Sequence, residues 1–318
     1  MISPLKVVAV SGASGFIGAH VAQEAENRGY KVIRGYHNRK FAGDGWRRAD
    51  LRIPEEAHDF IKGADTVIHC AALVGTLVFK MQQPAKIMAD NIRMTTNLVE
   101  AMPLVKAKRL VFLSSAEIYT GENTLFEEAD GFIGSPNGAN AGYVWSKRAA
   151  EAYVELAARQ YGVDVGIVRP SNIFGPGDDY ETSSARAIPS MIINALTGKD
   201  LVIWGDGLQE RSFLYITDLS KAIMDVAERG LNQGPINLGS LEYIRLRDLA
   251  SLVVSLTEGS SSIIFDHTMP PGPSRRAVGV SKARELISFS PSVNLAQGIA
   301  KCVADARARL SLAPLPEK

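Results

Sequence analysis

The sequence predicts an α/β protein: a doubly wound parallel sheet with a smaller α/β carboxyl-terminal lobe. Three observations carry that prediction. The apolar run Val7–Val10 leads into Gly12, Gly15 and Gly18, spaced three residues apart, and an amphipathic stretch opens at Phe16. Strand-like and helix-like segments then alternate to about residue 170. After Pro170 the rhythm gives way to turns and shorter elements. With 318 residues there is room for one large domain or two coupled ones.

Leu5–Val10 reads as a buried strand and Phe16–Arg28 as the helix after it. Gly12 permits a tight turn, Gly15 lets backbone approach a phosphate, and Gly18 allows the helix to pack on the strand. Amides exposed at that helix N-terminus suit a pyrophosphate, so a dinucleotide is the first ligand expected. The residues expected to hold it are Gly12, Ser14, Gly15, Phe16, Ile17 and Gly18. Next come strands Lys31–Gly35 and Thr66–Cys70, a helix from about Pro84 to Ala101, and strand Arg109–Ser114. A helix from about Gly142 to Tyr161 and strand Asp164–Arg169 complete this half. Such alternation argues for a parallel sheet covered on both faces. With right-handed crossovers and a glycine-rich first turn it is the Rossmann-type, doubly wound arrangement, assigned to residues 1–170.

Ser171–Asp179 is rich in turn residues and predicts no regular structure. A helix around Ile188–Thr197, short strands near Leu201–Trp204 and Ile236–Leu238, and a helix around Arg247–Leu256 follow. After the proline-rich stretch 269–273, a last helix is expected from about Leu295 to Leu310. Residues 171–318 are thus read as a smaller lobe, with parts of 201–240 returning to the large sheet. A cleft between lobes at a sheet's carboxyl edge is where ligands bind.

Hydrophobic residues make up 46% of the chain and charged residues 22%, as in a soluble globular protein. A net charge of +1 and the lack of a basic tract give no reason to expect nucleic acid. No apolar run is long enough to span a bilayer, and strand one begins too early to leave room for a signal peptide. Cys70 and Cys302 make no disulfide framework, so a reducing cytoplasm is expected. Five histidines without ligand spacing predict no metal.

Tyr143 and Lys147 lie one helical turn apart on one face. A lysine beside a phenol favours phenolate, lowering a pKa of about 10, so Tyr143 is expected to exchange a proton with a substrate hydroxyl or carbonyl. The same spacing occurs at Tyr36 and Lys40, but in an expected loop after strand two. Ser114-Ser115-Ala116-Glu117-Ile118-Tyr119 follows a strand end, where a serine hydroxyl can hold a carbonyl oxygen while the tyrosine moves the proton.

Together these segments resemble the extended short-chain dehydrogenase/reductase family acting on nucleotide sugars. Arg169–Pro176 and Trp204–Phe213 carry the resemblance across nearly the whole chain. It is nearest to the GDP-fucose synthase and GDP-mannose 3,5-epimerase branches, most visibly in Ala71–Gly75. The resemblance implies a nicotinamide exchanging a hydride with a sugar carbon, C4 by expectation, of a nucleoside-diphosphate hexose. It makes Ser115 the catalytic serine, Tyr143 the acid/base, and Lys147 the residue that lowers its pKa and grips the cofactor ribose. Asn172, Arg211 and Arg275 match positions that hold the diphosphate, with Arg186 and Trp204 as further substrate contacts. A guanidinium suits a diphosphate because its planar fork donates two parallel hydrogen bonds. Asp50-Leu51 resembles the pair whose aspartate touches adenine, and Ala71 and Ala72 are carried over as cofactor contacts.

Glu117 departs from the cysteine of the 3,5-epimerising relatives, and Arg186 lies near their histidine or lysine acid. A carboxylate can still act as a base, but an arginine stays protonated and makes a poor donor. Ala116 replaces the aspartate of the dehydratases' Asp-Glu pair. Reduction or 4-epimerisation is therefore expected; dehydration through Glu117, a non-catalytic dinucleotide-binding protein, and action on a small aldehyde, ketone or flavonoid are the alternatives. From Asn27 to Gly43 there is no Asp or Glu; Arg34, His37, Arg39 and Lys40 cluster instead, which favours NADP over NAD. The helices Pro84–Ala101 and Gly142–Tyr161 are apolar beyond one stripe, and in this family they form a dimer seam, so a homodimer is expected.

Overall fold

The computed structural model describes residues 6–311 apart from 39, 40, 42, 75, 76, 122, 181–185 and 270–273. Its first half runs β1 (Val7–Ser11), α1 (Phe16–Asn27), β2 (Lys31–Tyr36), β3 (Trp46–Arg48), α2 (Pro54–Ile61), β4 (Thr66–His69), α3 (Leu77–Gln82), α4 (Pro84–Val105) and β5 (Arg109–Leu113). Then come β6 (Leu125–Phe126), α5 (Ala141–Tyr161), β7 (Asp164–Pro170), β8 (Asn172–Phe174), α6 (Ala187–Leu196), β9 (Leu201–Trp204), β10 (Glu210–Tyr215) and α7 (Ile216–Arg229). The chain ends with β11 (Pro235–Leu238), β12 (Tyr243–Arg245), α8 (Leu246–Thr257), β13 (Ile263–Asp266), β14 (Arg275–Val278), α9 (Ser281–Ile287) and α10 (Leu295–Arg309).

Seven strands form one sheet in the order β11-β7-β5-β4-β1-β2-β3, every neighbour parallel. Alternate residues of β1 serve opposite faces, as the pleat requires. Val8 and Val10 join a core with Val21 and Ala25 of α1 and Ile223 of α7, while Ala9 joins another with Leu98 of α4 and Val154 of α5. Each large aliphatic side chain so buried contributes roughly 1.5–3 kcal/mol. The doubly wound sheet expected from the sequence is present, with helices on both faces.

A five-stranded sheet holds β12, β10, β14 and β6 in that order, with β8 paired to β10. β9 and β13 form a two-stranded parallel ribbon. Within 201–240, α7 and β11 pack with the large sheet, whereas β9 and β10 stay with the smaller ones. β6, from the first half of the chain, crosses to the five-stranded sheet.

The structure corrects two expectations. Asn172–Phe174 is a strand despite its turn-rich sequence, because it finds a parallel partner forty residues on, Phe213 opposite Asn172. Tyr36 is the last residue of β2 rather than part of a loop; Lys40 lies outside the described residues. The amphipathic α7, which the sequence pattern did not single out, starts straight from β10 with Tyr215 at its cap and no capping side chain. No turn residue marks the change from strand to helix.

Candidate active site

The carboxyl ends of β1 and β4 meet at the glycine-rich turn. Gly12 sits at φ +67°, and a Cβ there would come within 2.9 Å of Ala71 backbone. A Cβ on Gly18 would lie 2.2 Å from Gly12 O, so α1 can cross β1 this closely only without a side chain. At Gly15 an added Cβ would meet only Gly12 O, at 3.3 Å. The protein's own packing therefore does not demand Gly15 as it demands Gly18. Its bare face leaves the N-terminus of α1, whose first amides have no partner within the helix, open to a cavity of about 450 Å³.

That cavity is also lined by Ser14, His37, Asp50, Leu51, Ala71 and Ala72. Arg52 grips Asp50 through two bonds of 2.8 and 2.6 Å and, mainly through them, draws its carboxyl down to about 2. Arg52 lines the same wall, a residue the sequence did not mark out. His37 Nδ1 is buried with no partner among the described residues. Arg34 is not brought to the cavity: its guanidinium pairs with Glu26 at 2.5 Å and lies 5.7 Å from the Trp46 ring. Arg39 lies outside the described residues. Phe16 and Ile17 pack against the core at the start of α1. The turn, the open amides and the fixed carboxylate fit a dinucleotide.

A hydrogen-bonded chain braces this wall from beneath. Ala71 N–H donates to Ser11 Oγ (3.1 Å), which stands 2.8 Å from His69 Nδ1; His69 Nε2 lies 3.2 Å from Thr95 Oγ1, and Thr95 donates to Asn91 O. Burial holds His69 down at about 3, so it is neutral, and Thr95, donating onward, requires the Nε2–H tautomer.

At the end of β5, Ser115 lies close enough to the Tyr143 phenol to act on its ionisation, and Glu117 N–H donates to Ser115 Oγ at 3.1 Å. Lys147 Nζ lies 5.8 Å from the Tyr143 ring centre and donates to Leu113 O at 2.6 Å. The expected acidification of the phenol by Lys147 is corrected here. Burial first, then the Glu117 charge, push Tyr143 above the usual phenol range; Ser115 and the Arg186 charge oppose them. One N–H of Lys147 goes to the Leu113 carbonyl, and burial lowers the ammonium to about 8. Arg186 bonds Asp178 and lies 5.1 Å from the Phe16 ring, so one cation spans the glycine turn and the phenol. Lys80 of α3, not marked out by sequence, stands 5.4 Å from the Tyr143 ring centre.

The five-stranded sheet assembles the other wall. Its register sets Arg211 opposite Arg276 and Phe213 opposite Asn172. Burial, then the charge of Arg276, lowers Arg211. Two like charges directly opposed on a sheet repel, and a bound anion between them relieves that repulsion. Asn172 Nδ2 donates to Ser212 O at 3.0 Å. Arg275, expected on the diphosphate, stacks 4.0 Å from the Tyr243 ring centre on the alternate face. Arg276, which sequence missed, is the member of the doublet set across from Arg211. Trp204 is 44% exposed on β9 and does not line the cavity beside the glycine turn.

Beneath both walls lies a buried pair. Arg169 binds Glu151 at 2.6 and 3.0 Å, each side chain 1% exposed, and also donates to Tyr119 Oη and Glu128 O. Ser114 Oγ donates to the same carboxylate, and Tyr119 Oη donates to Asn237. The ends of β5, β7 and β11 are thereby tied together.

Residues 8–239 match the model of the NAD dependent epimerase/dehydratase family. A dTDP-4-dehydro-6-deoxy-D-allose reductase from Streptomyces sp is 33% identical over 300 residues, spanning 90% of this chain and 92% of the relative. GDP-mannose 3,5-epimerase of Arabidopsis thaliana is 27% identical over 307 residues, 92% of this chain and 80% of that protein. Among solved structures, UDP-glucose 4-epimerase of Thermotoga maritima with UDP-glucose has a TM-score of 0.85 at 24% identity, covering 96% of this chain and 99% of that one.

Proposed function

Because the chain belongs to the NAD-dependent epimerase/dehydratase family, we propose that it reduces a ketone at C4 of a nucleoside-diphosphate hexose, with Tyr143 giving the proton. The chain is an enzyme of nucleotide-sugar modification that uses a nicotinamide dinucleotide. One observation carries the site: Tyr143, buried and held above the usual phenol range, stands beside Ser115 at the end of β5. It is therefore protonated at neutral pH, the form that donates to a ketone oxygen. The dinucleotide, when bound, supplies the hydride. Ser115 holds the carbonyl oxygen, Tyr143 protonates it, and Lys147 grips the cofactor ribose. Arg211, Arg276 and Asn172 receive the diphosphate. The relative at 33% identity, a 4-dehydro-sugar reductase by name, supports net reduction. Against double epimerisation, position 186 carries a guanidinium, a side chain unsuited to giving a proton to an inverted centre.

NADP is the finer choice. It is supported by the lack of a carboxylate from Asn27 to Gly43 and by His37 on the cavity wall, with no contribution from Arg34. A homodimer through α4 and α5 is supported by Trp145, 41% exposed, and Leu156, 62% exposed, at helical spacing along α5. Tyr143→Phe is expected to lower turnover of a 4-keto nucleotide sugar by about 10²–10⁴ while dinucleotide affinity stays within twofold. Undiminished turnover would sink the assignment. Loose NADPH consumed in proportion to substrate fits reduction; a tightly retained, recycled cofactor fits redox-neutral epimerisation instead.

A further inference from the structure

The short helix α3 has its polarity turned inside out. A helix on a protein surface ordinarily buries its apolar side chains and leaves its charges in water. In α3, Val78 is 61% and Met81 64% exposed, whereas Lys80 between them is half-buried, its ammonium 5.4 Å from the centre of the Tyr143 ring. The chain is fixed on either side of it. Asn91 of α4 clamps the N–H and the carbonyl of Leu73, at 2.7 and 3.0 Å, and Gln83 N–H closes the last turn onto Phe79 O. The charged groups facing the phenol come from separate elements. Glu117, in the turn after β5, pushes it up together with burial, and Arg186, just before α6, opposes them. Lys147 of α5 lies 5.8 Å from the same ring centre. Both of those cations have polar partners, Leu113 O for Lys147 and Asp178 for Arg186. Lys80 has neither a hydrogen bond nor an ion pair among the described residues, so its charge reaches the ring uncompensated.

We propose that Lys80 acts on the reaction through Tyr143: its ammonium, lying over the ring, stabilises the phenolate left once Tyr143 has given its proton to the substrate. The inference rests on the reductive reading above. In that step the Tyr143 O–H bond breaks and the electron pair stays on Oη. The proton passes to the ketone oxygen as the dinucleotide's hydride reduces the carbon. With the neutral phenol the ammonium makes only a cation–ring contact; with the phenolate it makes an attraction between opposite charges. The same cation therefore favours the state after proton transfer over the state before it. Lys80 itself needs no contact with substrate or cofactor, which makes it a positioning residue.

The test follows the phenol itself. A difluorinated tyrosine at position 143 is more acidic than tyrosine, and its fluorine resonances report its ionisation in the full chain. Lys80→Met is expected to raise the midpoint of that titration by about one pH unit. In the unlabelled chain it is expected to lower turnover of a 4-keto nucleotide sugar about three- to tenfold, with KM and NADP affinity within about twofold. Lys80→Arg keeps the charge and should hold both midpoint and turnover near wild type. An unmoved midpoint overturns the proposal whatever happens to turnover, as does a midpoint that Lys80→Arg shifts as far as Lys80→Met. A midpoint shifted as expected, in a chain that turns over no 4-keto nucleotide sugar, would remove the proposed function and leave the hold of Lys80 on the phenol standing.

Discussion

The glycine turn of the dinucleotide wall is made from residues close together in the chain, Ser11 to Gly18, whereas the facing wall is drawn from β8, β10 and β14, spread from Asn172 to Val278. The first needs a strand, a turn and a helix in sequence, and its key atoms are backbone amides. The second needs strands paired in the right register, since moving one by a residue turns each side chain to the opposite face. A site built on backbone can be specified by three glycines. A site built on side chains across a sheet depends on how that sheet is anchored, and here Arg276 of β14 donates to Tyr119 O, beside the buried Glu151–Arg169 pair, while Asn237 donates to Phe126 O of β6, the partner of β14.

The largest effect is expected where that support is cut. Glu151→Ala leaves the Arg169 guanidinium buried without its carboxylate, at about 3–5 kcal/mol in denaturant unfolding. It should weaken nucleotide-sugar binding more than dinucleotide binding. An equal loss on both sides would erase the distinction between the walls.

Next come the glycines. Gly18→Ala sets a Cβ against Gly12 O and is expected to destabilise by about 3 kcal/mol, because the obstacle is backbone and cannot swing away. Gly15→Ala should stay within about 1 kcal/mol of wild type in stability and yet lose dinucleotide affinity at least tenfold. Should Gly15→Ala bind the dinucleotide normally, the open face of Gly15 is not the phosphate cradle.

Acid sensitivity tests a long-range feature of the dinucleotide wall, the His69 chain beneath it. His69 titrates near 3 in the folded protein because it is buried, against 6.5 ordinarily. Between those values the unfolded chain carries a proton the folded chain does not, so stability is complete above about pH 6.5 and falls as pH drops toward 3. At pH 5 the loss is about 2 kcal/mol. His69→Gln should flatten that slope in melts from pH 7 to 5. A slope unchanged by the substitution would place the acid sensitivity elsewhere.

The glycine turn, the alternating strands of the large sheet and the Ser115–Tyr143–Lys147 set were legible in the sequence, because each depends on residue type at short spacing. Arg276 was not. In the doublet Arg275-Arg276 only the pairing of β14 with β10 tells which guanidinium faces Arg211. The rise of Tyr143 was not legible because spacing along a helix says nothing of how deeply the phenol is buried.

By itself the sequence determined the class of fold, the dinucleotide turn and the chemistry of the proton-transferring residues, all of which follow from local steric and hydrogen-bonding rules. Tertiary structure decided how deeply Tyr143 is buried and which arginine of the doublet stands opposite Arg211. Those depend on burial and on strand register, and both arise from contacts between residues far apart in the chain.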